Sequence, residues 1–464
     1  MLKELSEIKG KKIAVIGAGR TGISLAKFLT RYGAEVLISD HKSEAELVNS
    51  LEEIENLPLK IELEGNNPNT LSKQDYVILS PGVSPHLNLF EHLKKCGVKI
   101  TGEFEFVSQF IKEPMVVVTG TNGKTTVVTL AELFLKKSGV NVWCGGNYKQ
   151  PVSEYLCSGE KADVLLIEAS SFMLEHVENM VPNHIVFTNL AQNHLDRYNG
   201  SMETYINAKK RIFKNIDRKV TSILNADNNV ILNELARDPS VQRGRIFYFS
   251  RKKSFKPQIM NIGGAVMIDG EICVRTSPEV EFYNLKNVQI KGPHSYENIM
   301  AAILIAKEYG GTWQHIQRGI DEYKGRTHRL EYVRKVGGVS FYNDSKATNV
   351  HAVSRALEAF DDNVILIMGG KDVGLNYKSL SENIRRKVKT LILVGEAKEI
   401  INRHIGDDTE TFLIGTFDEA VFIAYHKSRI NDVVLLSPGC PSFDSFDSYV
   451  ERGNHFKYLI NQFK

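Results

Sequence analysis

The stretch VVVTGTNGKTT, residues 116–126, decides the fold of the middle of the chain. A β-branched apolar run is followed by a glycine turn and then by a helical pattern that starts at Lys124. Backbone N–H groups and a helix N-terminus in this arrangement cradle phosphates. The usual spacing G-x-x-x-x-G-K-[ST] needs a glycine at position 118, where Val118 stands, so the motif here is the shorter G-x-x-G-K-T. We predict that this loop binds a nucleoside triphosphate through Gly120, Thr121, Asn122, Gly123, Lys124, Thr125 and Thr126.

A second glycine-rich loop lies near the start of the chain, in IAVIGAGRTG, residues 13–22. Gly17, Gly19 and Gly22 satisfy G-x-G-x-x-G, and Asp40 follows Gly22 by 40 − 22 = 18 positions. That spacing is typical of an acid that binds a ribose hydroxyl. The loop alone is compatible with NAD, with a substrate that carries a nucleoside diphosphate, or with glycines that only serve helix–strand packing. A triphosphate site elsewhere in the chain favours the nucleoside diphosphate substrate.

Composition narrows the class of protein. The 464 residues exceed one ordinary core, and 42% hydrophobic with 24% charged residues is typical of a globular protein. A formal charge of +3 without charge blocks indicates neither a nucleic-acid nor a membrane partner. No apolar run approaches about 20 residues, the N-terminus lacks a signal-peptide pattern, and five scattered cysteines indicate reduced thiols. We therefore expect a cytoplasmic protein.

Apolar β-rich runs alternate with helical patterns, which predicts an α/β protein with mostly parallel sheets. Strands are expected in KKIAVIG, AEVLISD, DYVILSPG, MVVVTG, ADVLLIEAS, HIVFTNL, TSILNAD, NVILIMGG, TLILVG and DVVLLSPG. We predict three domains: a Rossmann-like domain at 1–112, a central P-loop-type ATPase domain at 113–324, and a Rossmann-like domain at 325–464. Residues 245–290 look less regular and β-rich, as in a small excursion from the middle domain.

Several further motifs then accumulate in a fixed order. They are EASSF (168–172), NHLDRY (193–198), NAKKRIF (207–213), GPHSYEN (292–298), GRTHRLE (325–331) and NDSKATN (343–349). Together with TGTNGKTT they resemble the Mur ligases, the ATP-dependent amide-forming ligases of peptidoglycan synthesis, over essentially the whole chain. GAGRTG, NDSKATN and LLSPGCPSFDSF (435–446) are most similar to the D-glutamate-adding members of that family.

The resemblance implies substrates and cofactors. The first domain would hold the UDP of UDP-N-acetylmuramoyl-L-alanine, the second ATP, and the third D-glutamate. Two Mg²⁺ ions are implied, held by Thr125, Glu168, His194 and a Lys209 carbamylated by CO₂. A monomer is expected.

The resemblance also implies the remaining roles. Lys124, Glu168, His194, Lys209 and Lys346 would be catalytic, while Asn298, Arg329 and Asp344 would complete the ATP site. The nucleotide-sugar substrate would be met by Gly19, Arg20, Thr21, Asp40, His41, Lys42, Gly82, Asn147 and Ser170. D-glutamate would be met by Lys346, Thr348, Ser442, Phe443 and Tyr449.

Several residues have a plainer interpretation. Glu168 could be a strand-end surface acid, Lys209 part of a solvated basic helix face, His328-Arg329 a polar turn, and Phe443 and Tyr449 core aromatics. Gln192 and Asn193 precede His194, where relatives often carry an acid. Val373 replaces a basic residue that some relatives have, and Lys371 is the candidate to substitute for it.

Two other functions remain open at this point. One is a ligase of the same superfamily that adds L-alanine, a diamino acid, or glutamate to folate; no DNPR-like motif of the diamino-acid enzymes is present. The more distant one is an NAD-dependent oxidoreductase or a nucleotide-binding sensor.

Overall fold

The computed structural model describes residues 4–84, 87–193, 197–288 and 292–463. Its strands form three sheets, one for each predicted domain. The chain divides into two compact units, Met1–Asn284 with Asn298–Gly319, and Leu285–Glu297 with Ile320–Lys464. The first unit contains the first two sheets and the second unit contains the third. The boundaries at 112/113 and 324/325 stay predictions; each falls between two sheets.

The first sheet has the order β3-β2-β1-β4-β5 and all of its pairings are parallel. Its strands β1 and β4 are almost wholly buried, as expected where helices cover both faces. The strands are β1 Lys12–Ile16, β2 Glu35–Ser39, β3 Leu59–Glu62, β4 Tyr76–Leu79 and β5 Lys99–Gly102; the helices are α1 Arg20–Arg31, α2 Glu44–Glu52, α3 Pro68–Leu71, α4 Asn88–Lys95 and α5 Glu103–Ser108.

The central sheet has nine strands in the order β14-β13-β12-β11-β10-β9-β6-β8-β7. Its strands are β6 Met115–Thr119, β7 Val142–Gly146, β8 Val164–Glu168, β9 His184–Phe187, β10 Thr221–Asn225, β11 Arg245–Ser250, β12 Gly264–Ile268, β13 Glu271–Arg275 and β14 Val280–Tyr283. The helices of this region are α6 Lys124–Lys137, α7 Ser153–Ser158, α8 Ser171–Leu174, α9 Met202–Lys210, α10 Lys256–Ile262, α11 Pro293–Glu308 and α12 Trp313–Glu322.

The β-rich excursion expected at 245–290 is an extension of the central sheet. Strand β11 pairs in parallel with β10 and β12, and β13 and β14 then add two antiparallel pairings. The other pairings in this sheet are parallel.

Two carboxylates on α5 join the first sheet's region to the central one within the first unit. Glu105 accepts hydrogen bonds from the backbone N–H groups of Glu178, Asn179 and Met180 at 2.9–3.2 Å. Glu103 accepts one from Ser153 N at 2.7 Å. A buried carboxylate is stable when several N–H groups satisfy it, so these contacts fix the two regions to each other.

The third sheet has the order β15-β16-β20-β17-β18-β19, and only the β15–β16 pairing is antiparallel. Its strands are β15 Glu331–Val336, β16 Val339–Asn343, β17 Val364–Gly369, β18 Val388–Val394, β19 Glu410–Leu413 and β20 Val433–Leu436; its helices are α13 Val350–Leu357, α14 Ser381–Lys387, α15 Lys398–Ile405, α16 Phe417–Lys427 and α17 Tyr449–Gln462. The α/β, three-domain prediction with mostly parallel sheets is therefore confirmed. Among the described residues, no helix combines the length and the apolar character needed to cross a bilayer.

Candidate functional site

The phosphate loop leaves the carboxyl end of β6, which lies between β8 and β9 in the central sheet. Ligand groups gather at this edge in open α/β sheets. Gly120 and Gly123 have φ of +133° and +87°, which favours glycine. A Cβ on Gly123 would lie 2.5 Å from Asn298 Oδ1, so the predicted adenine-contacting Asn298 is in place beside the loop.

Two lysines converge on this loop. Lys124 begins α6, and its Nζ donates to the carbonyl oxygens of Gly120 at 3.0 Å and Thr121 at 2.8 Å. Lys209 Nζ donates to the same Gly120 oxygen at 3.0 Å and to Thr119 Oγ1 at 3.1 Å. The sequence separates these lysines by 85 positions, and the fold brings both to one carbonyl group.

Lys209 is buried, with 1% of its surface exposed, so its interpretation as part of a solvated helix face is wrong. Burial is the main cause that lowers the pKa of Lys209 well below its usual range, and the nearby charge of Lys124 adds to it. A neutral amine is the form of lysine that attacks CO₂. The site therefore suits the modification that the family resemblance implies.

Glu168 ends β8 and is 3% exposed, so it is not a surface acid. Its Oε1 accepts a hydrogen bond from Asn147 Nδ2 at 3.1 Å, while its buried Oε2 has no hydrogen-bond partner among the described residues. A buried carboxylate oxygen left in this state fits a hard cation such as Mg²⁺. Thr125, the other predicted ligand on this side, is buried in the first turn of α6.

The fourth predicted metal ligand, His194, lies outside the described residues. Within the described ranges, no three His, Cys, Asp or Glu side chains are arranged to hold a metal ion. Besides Glu168, a cation here would thus depend on Thr125, on a modified Lys209 or on residues beyond those ranges.

A pocket of about 580 Å³ lies at the switch point of the first sheet, where the loops after β1, β2 and β4 meet. Seven residues predicted to bind the nucleotide sugar line it: Gly19, Arg20, Thr21, Asp40, His41, Gly82 and Asn147. Asn147 also donates a hydrogen bond to Glu168, so one lining residue of this pocket contacts the carboxylate beside the phosphate loop. Lys42 and Ser170 do not line it. Ser170 Oγ instead caps α8 by accepting from Met173 N at 3.3 Å.

Asp40 shapes the first glycine loop. Its Oδ2 accepts a hydrogen bond from Ala18 N at 2.7 Å, and its Oδ1 accepts one from Lys42 N at 3.0 Å. A carboxylate has further acceptor positions, so these bonds are compatible with the predicted contact to ribose. Across the pocket, burial raises the pKa of Glu103 to about 7.

In the second unit, Asp344 follows β16 and is 9% exposed. Ser437 Oγ donates to its Oδ2 at 2.9 Å and Leu330 N to its Oδ1 at 3.1 Å. Burial nevertheless raises the pKa of Asp344 to about 7, while the charge of Arg329 opposes that shift. Such a carboxyl titrates near neutrality.

Four of the residues predicted to bind D-glutamate lie on the loops after β16 and β20, which are neighbouring strands, and the fifth, Tyr449, begins α17. Lys346 Nζ lies 3.8 Å from the centre of the Tyr449 ring. Ser442 is 1% exposed, and its Oγ has no hydrogen-bond partner among the described residues. Phe443 is 71% exposed, so its interpretation as a core aromatic is wrong. Thr348 is half-buried just before α13.

The substitute basic residue and the GRTHR turn have specific surroundings. Lys371 Nζ forms an exposed ion pair with Glu396 at 2.7 Å, and Val373 is 53% exposed.

His328 is buried with a φ of +62°, and its Nδ1 lies 2.9 Å from Asn343 Nδ2. This turn is therefore packed and not an ordinary exposed polar turn.

Sequence reasoning missed three residues that shape the first unit's sites. Tyr205 OH lies 3.0 Å from Thr121 Oγ1, and the Tyr205 ring centre lies 5.2 Å from Lys209 Nζ. Asn189 bonds the backbone of Asn122 with both ends of its amide. Glu103 lines the nucleotide-sugar pocket. Tyr205 precedes Lys209 by one helical turn, a spacing that could have identified it.

Three family models match successive parts of the chain. The Mur ligase MurD-like N-terminal domain matches residues 11–102, the Mur ligase middle domain 118–306, and the Mur ligase glutamate ligase domain 328–440. These ranges fall inside the three predicted domains.

Full-length relatives and solved structures agree with these matches. The chain is 61% identical over 463 residues to the UDP-N-acetylmuramoylalanine–D-glutamate ligase of Bdellovibrio bacteriovorus, covering 100% of both chains. It is 39% identical to the ligase of the same name from Geotalea daltonii, covering 98% of each. Two solved structures share its fold: a pseudomurein peptide ligase type C from Methanothermus fervidus, with TM-score 0.60, 19% identity and coverage of 98% and 100%, and the UDP-N-acetylmuramate-alanine ligase MurC of Thermotoga maritima, with TM-score 0.56, 17% identity and coverage of 97% and 99%.

Proposed function

The chain belongs to the Mur ligase family, and we propose that it joins D-glutamate to UDP-N-acetylmuramoyl-L-alanine at the expense of ATP, a step in making peptidoglycan precursors. The observation that carries the proposal is the pocket at the first glycine loop. Seven predicted nucleotide-sugar residues line it, and Asn147 connects it to Glu168 beside the phosphate loop. The Asn147–Glu168 contact supports a sugar-linked carboxylate being placed near the phosphate loop.

The chemistry needs an activated carboxyl group, because a carboxylate carbon is a poor electrophile at neutral pH. The alanyl carboxylate oxygen attacks the γ-phosphorus of ATP, and ADP leaves. The amino group of D-glutamate then attacks the acyl phosphate carbon, loses a proton, and expels inorganic phosphate. Lys124, at the N-terminus of α6, stabilises the charge on the transferring phosphoryl group.

Mg²⁺ supplies further charge neutralisation on the phosphates when bound. We assign Glu168 and Thr125 as residues that hold one ion, and a carbamylated Lys209 together with His194 as ligands of a second. Support for the first assignment is the buried Oε2 of Glu168, which finds no hydrogen-bond partner in the described part of the chain. Support for the second is the burial of Lys209, which lowers the pKa of its amine and so favours the neutral form that can add CO₂ and release a proton to become a carbamate.

Carbamylation has its own test. In the Lys209→Ala variant, turnover should fall to background, and added bicarbonate should not restore it. For the wild type, protein prepared in CO₂-free buffer should regain activity on addition of bicarbonate, and ¹³C-bicarbonate should give a carbamate signal that the variant lacks. Normal turnover in Lys209→Ala would refute the assignment.

For the second unit, we propose that Lys346, Thr348, Ser442, Phe443 and Tyr449 bind D-glutamate and that Arg329 and Asp344 contact ATP. Two observations support a ligand at these loops: the buried Ser442 Oγ has no hydrogen-bond partner within the described ranges, and the Phe443 ring is exposed. We further propose a monomer acting in the cytoplasm.

The activity is tested by phosphate release with ATP and UDP-N-acetylmuramoyl-L-alanine across a panel of L-alanine, L-glutamate, D-glutamate and meso-diaminopimelate. Only D-glutamate should give phosphate and a product heavier by one glutamyl residue. Turnover with meso-diaminopimelate but not D-glutamate would indicate another ligase of the family. NADH should bind no more tightly than UDP. An NAD-dependent dehydrogenase would bind NADH more tightly, and membership of the Mur ligase family does not support that hypothesis.

A further inference from the structure

Arg197 connects the central region to the loop that follows β4. Its Nη2 donates to Val83 O at 2.9 Å and its Nη1 to Gly82 O at 3.3 Å. Both acceptors belong to residues that line the nucleotide-sugar pocket. Arg197 itself does not line that pocket. Arg197 therefore contacts the backbone of the pocket wall without facing the pocket itself.

The guanidinium is held on its other sides as well. Its Nε and Nη2 donate to Glu175 Oε1 at 3.0 Å and Oε2 at 2.7 Å, a bidentate pair. Tyr198 OH donates to Glu175 Oε1 at 2.6 Å, and the guanidinium carbon lies 4.2 Å from the centre of the Phe172 ring. The Arg197 and Glu175 side chains are only 12% and 8% exposed. A guanidinium group held by these contacts has little conformational freedom. Its hydrogen bonds therefore fix the orientation of the carbonyl groups that accept them.

The peptide bond transmits that direction to the pocket. In a planar trans peptide, the N–H points opposite to the C=O. Fixing the Gly82 and Val83 carbonyls therefore fixes the N–H groups of Val83 and Ser84, and Val83 N–H donates to Ser80 O at 3.0 Å. Ser84 and Ser80 also line the pocket. The orientation of this part of the pocket wall thus depends on a side chain 113 positions further along the chain, since 197 − 84 = 113.

We propose that Arg197 is a positioning residue that holds the 82–84 segment in the conformation that binds the nucleotide-sugar substrate. The inference rests on the proposed function only for the identity of that substrate. Arg197 contacts no reacting atom; it acts through the backbone of the pocket wall. The expected signature is a weaker affinity for the UDP-sugar, with the ATP and metal sites unaffected.

The kinetic test compares Arg197→Ala, Arg197→Lys and Glu175→Gln with a matched control, Arg211→Ala. Arg211 is also half-buried and donates to a backbone carbonyl, Val177 O, at 3.1 Å, but Val177 does not line the nucleotide-sugar pocket. Arg197→Ala should raise KM for UDP-N-acetylmuramoyl-L-alanine about tenfold, the usual cost of losing charge-assisted hydrogen bonds. Arg197→Lys and Glu175→Gln should show smaller rises, because each keeps part of the contact. Arg211→Ala should leave KM unchanged.

The KM for ATP and the Mg²⁺ dependence separate positioning from a general structural effect. Both should match the wild type in Arg197→Ala, with kcat within about threefold. An equal rise in KM for ATP or Mg²⁺ would show that Arg197 acts on the phosphate site instead, and would overturn the proposal. So would a KM for the UDP-sugar that is no higher than in Arg211→Ala.

Hydrogen exchange of the ligand-free proteins tests the same contact without any substrate. The peptide that contains Val83 and Ser84 should exchange faster in Arg197→Ala and Glu175→Gln than in the wild type or in Arg211→Ala. Unchanged exchange would refute the proposal even if KM rises. If the wild type fails to bind UDP-N-acetylmuramoyl-L-alanine in calorimetry, the proposed function fails, whereas the exchange result still decides the role of Arg197.

Discussion

The two glycine-rich loops of the first unit share one geometry and differ in what fixes their backbone. Both connect a parallel strand to a helix that begins within the motif, at Arg20 and at Lys124. In the first loop, Asp40 and the Ser80 hydroxyl bond the backbone. In the second loop, two lysines donate to one carbonyl oxygen, that of Gly120. The fold alone therefore does not determine which ligand each loop binds; the side chains around each loop do.

This difference matches the charge that each loop has to handle. A diphosphate that is only held can be bound by N–H groups and a helix N-terminus. A triphosphate that gives up its terminal phosphoryl group needs fixed positive charge at the group that moves. In the second loop the lysines lie close to buried groups. Burial lowers the pKa of Lys209, and the buried Glu168 Oε2 has no hydrogen-bond partner among the described residues. Without ligands, the burial of these two groups therefore costs free energy.

The largest expected effect comes from removing the cation of the second loop. Lys124→Ala should lower kcat about 10³-fold, as for the loss of a preorganised charge that stabilises a transition state. The equivalent change in the first loop, Arg20→Ala, removes an exposed side chain and should change activity by less than about tenfold. Phosphate release measures both variants. Equal losses would contradict the distinction between the loops.

The next prediction concerns the backbone of the first loop. A Cβ on Gly22 would lie 1.8 Å from Gly17 O, so Gly22→Ala forces the turn to move. We expect a loss of about 1–3 kcal/mol in the free energy of unfolding and weaker binding of the UDP-sugar. Gly19→Ala is the matched control, because its Cβ meets nothing within 4 Å and its φ of −77° suits alanine. Thermal unfolding of Gly19→Ala should coincide with that of the wild type.

Both loops could be predicted from the sequence because their signals are local. The strand, the glycines and the start of the helix lie within about ten residues, and continuous apolar, β-rich runs identified ten strands at the correct places. Other strands, among them β12 to β14, were not identified individually, since short strands towards a sheet edge carry a weak pattern. Their general character and position were nevertheless expected.

The side chains that surround the two loops were harder to predict from the sequence. The composition of KKR indicates a solvated helix face, yet the fold buries Lys209 between Tyr205 and the phosphate loop. Arg197 and Glu103 act through contacts with residues 114 and 50 positions away. Such long-range contacts depend on how helices pack on the sheets, and no periodicity in the chain encodes them. Only the family resemblance indicated Lys209.

A smaller effect is expected from the acid that shapes the first loop. Asp40→Asn keeps the side-chain volume but replaces one acceptor by a donor, so either Ala18 N–H or Lys42 N–H loses its partner. We expect a loss of about 1–2 kcal/mol in the free energy of unfolding. Urea denaturation measures it. If stability is unchanged while affinity for UDP falls, Asp40 serves the ligand and does not shape the loop.

The last prediction sharpens the comparison by testing the cost of buried charge in the second loop. Lys209→Met removes a group whose folded-state pKa is lowered by burial, whereas the unfolded chain has a pKa of about 10.4. Between these two pKa values the unfolded state binds more protons than the folded state. Burial of Lys209 therefore lowers the free energy of unfolding of the wild type by its full amount below the folded-state pKa, and it has no such effect above about pH 10.4. The variant should therefore be inactive but unfold at a higher temperature than the wild type near pH 6.5, with an advantage that shrinks by pH 9.5. The gain is expected to be small, because Gly120 O and Thr119 Oγ1 each lose a donor. Thermal unfolding in CO₂-free, ligand-free buffer at the two pH values measures it; an advantage that grows with pH would mean that Lys209 is not held neutral, and the second loop would then be no more strained than the first.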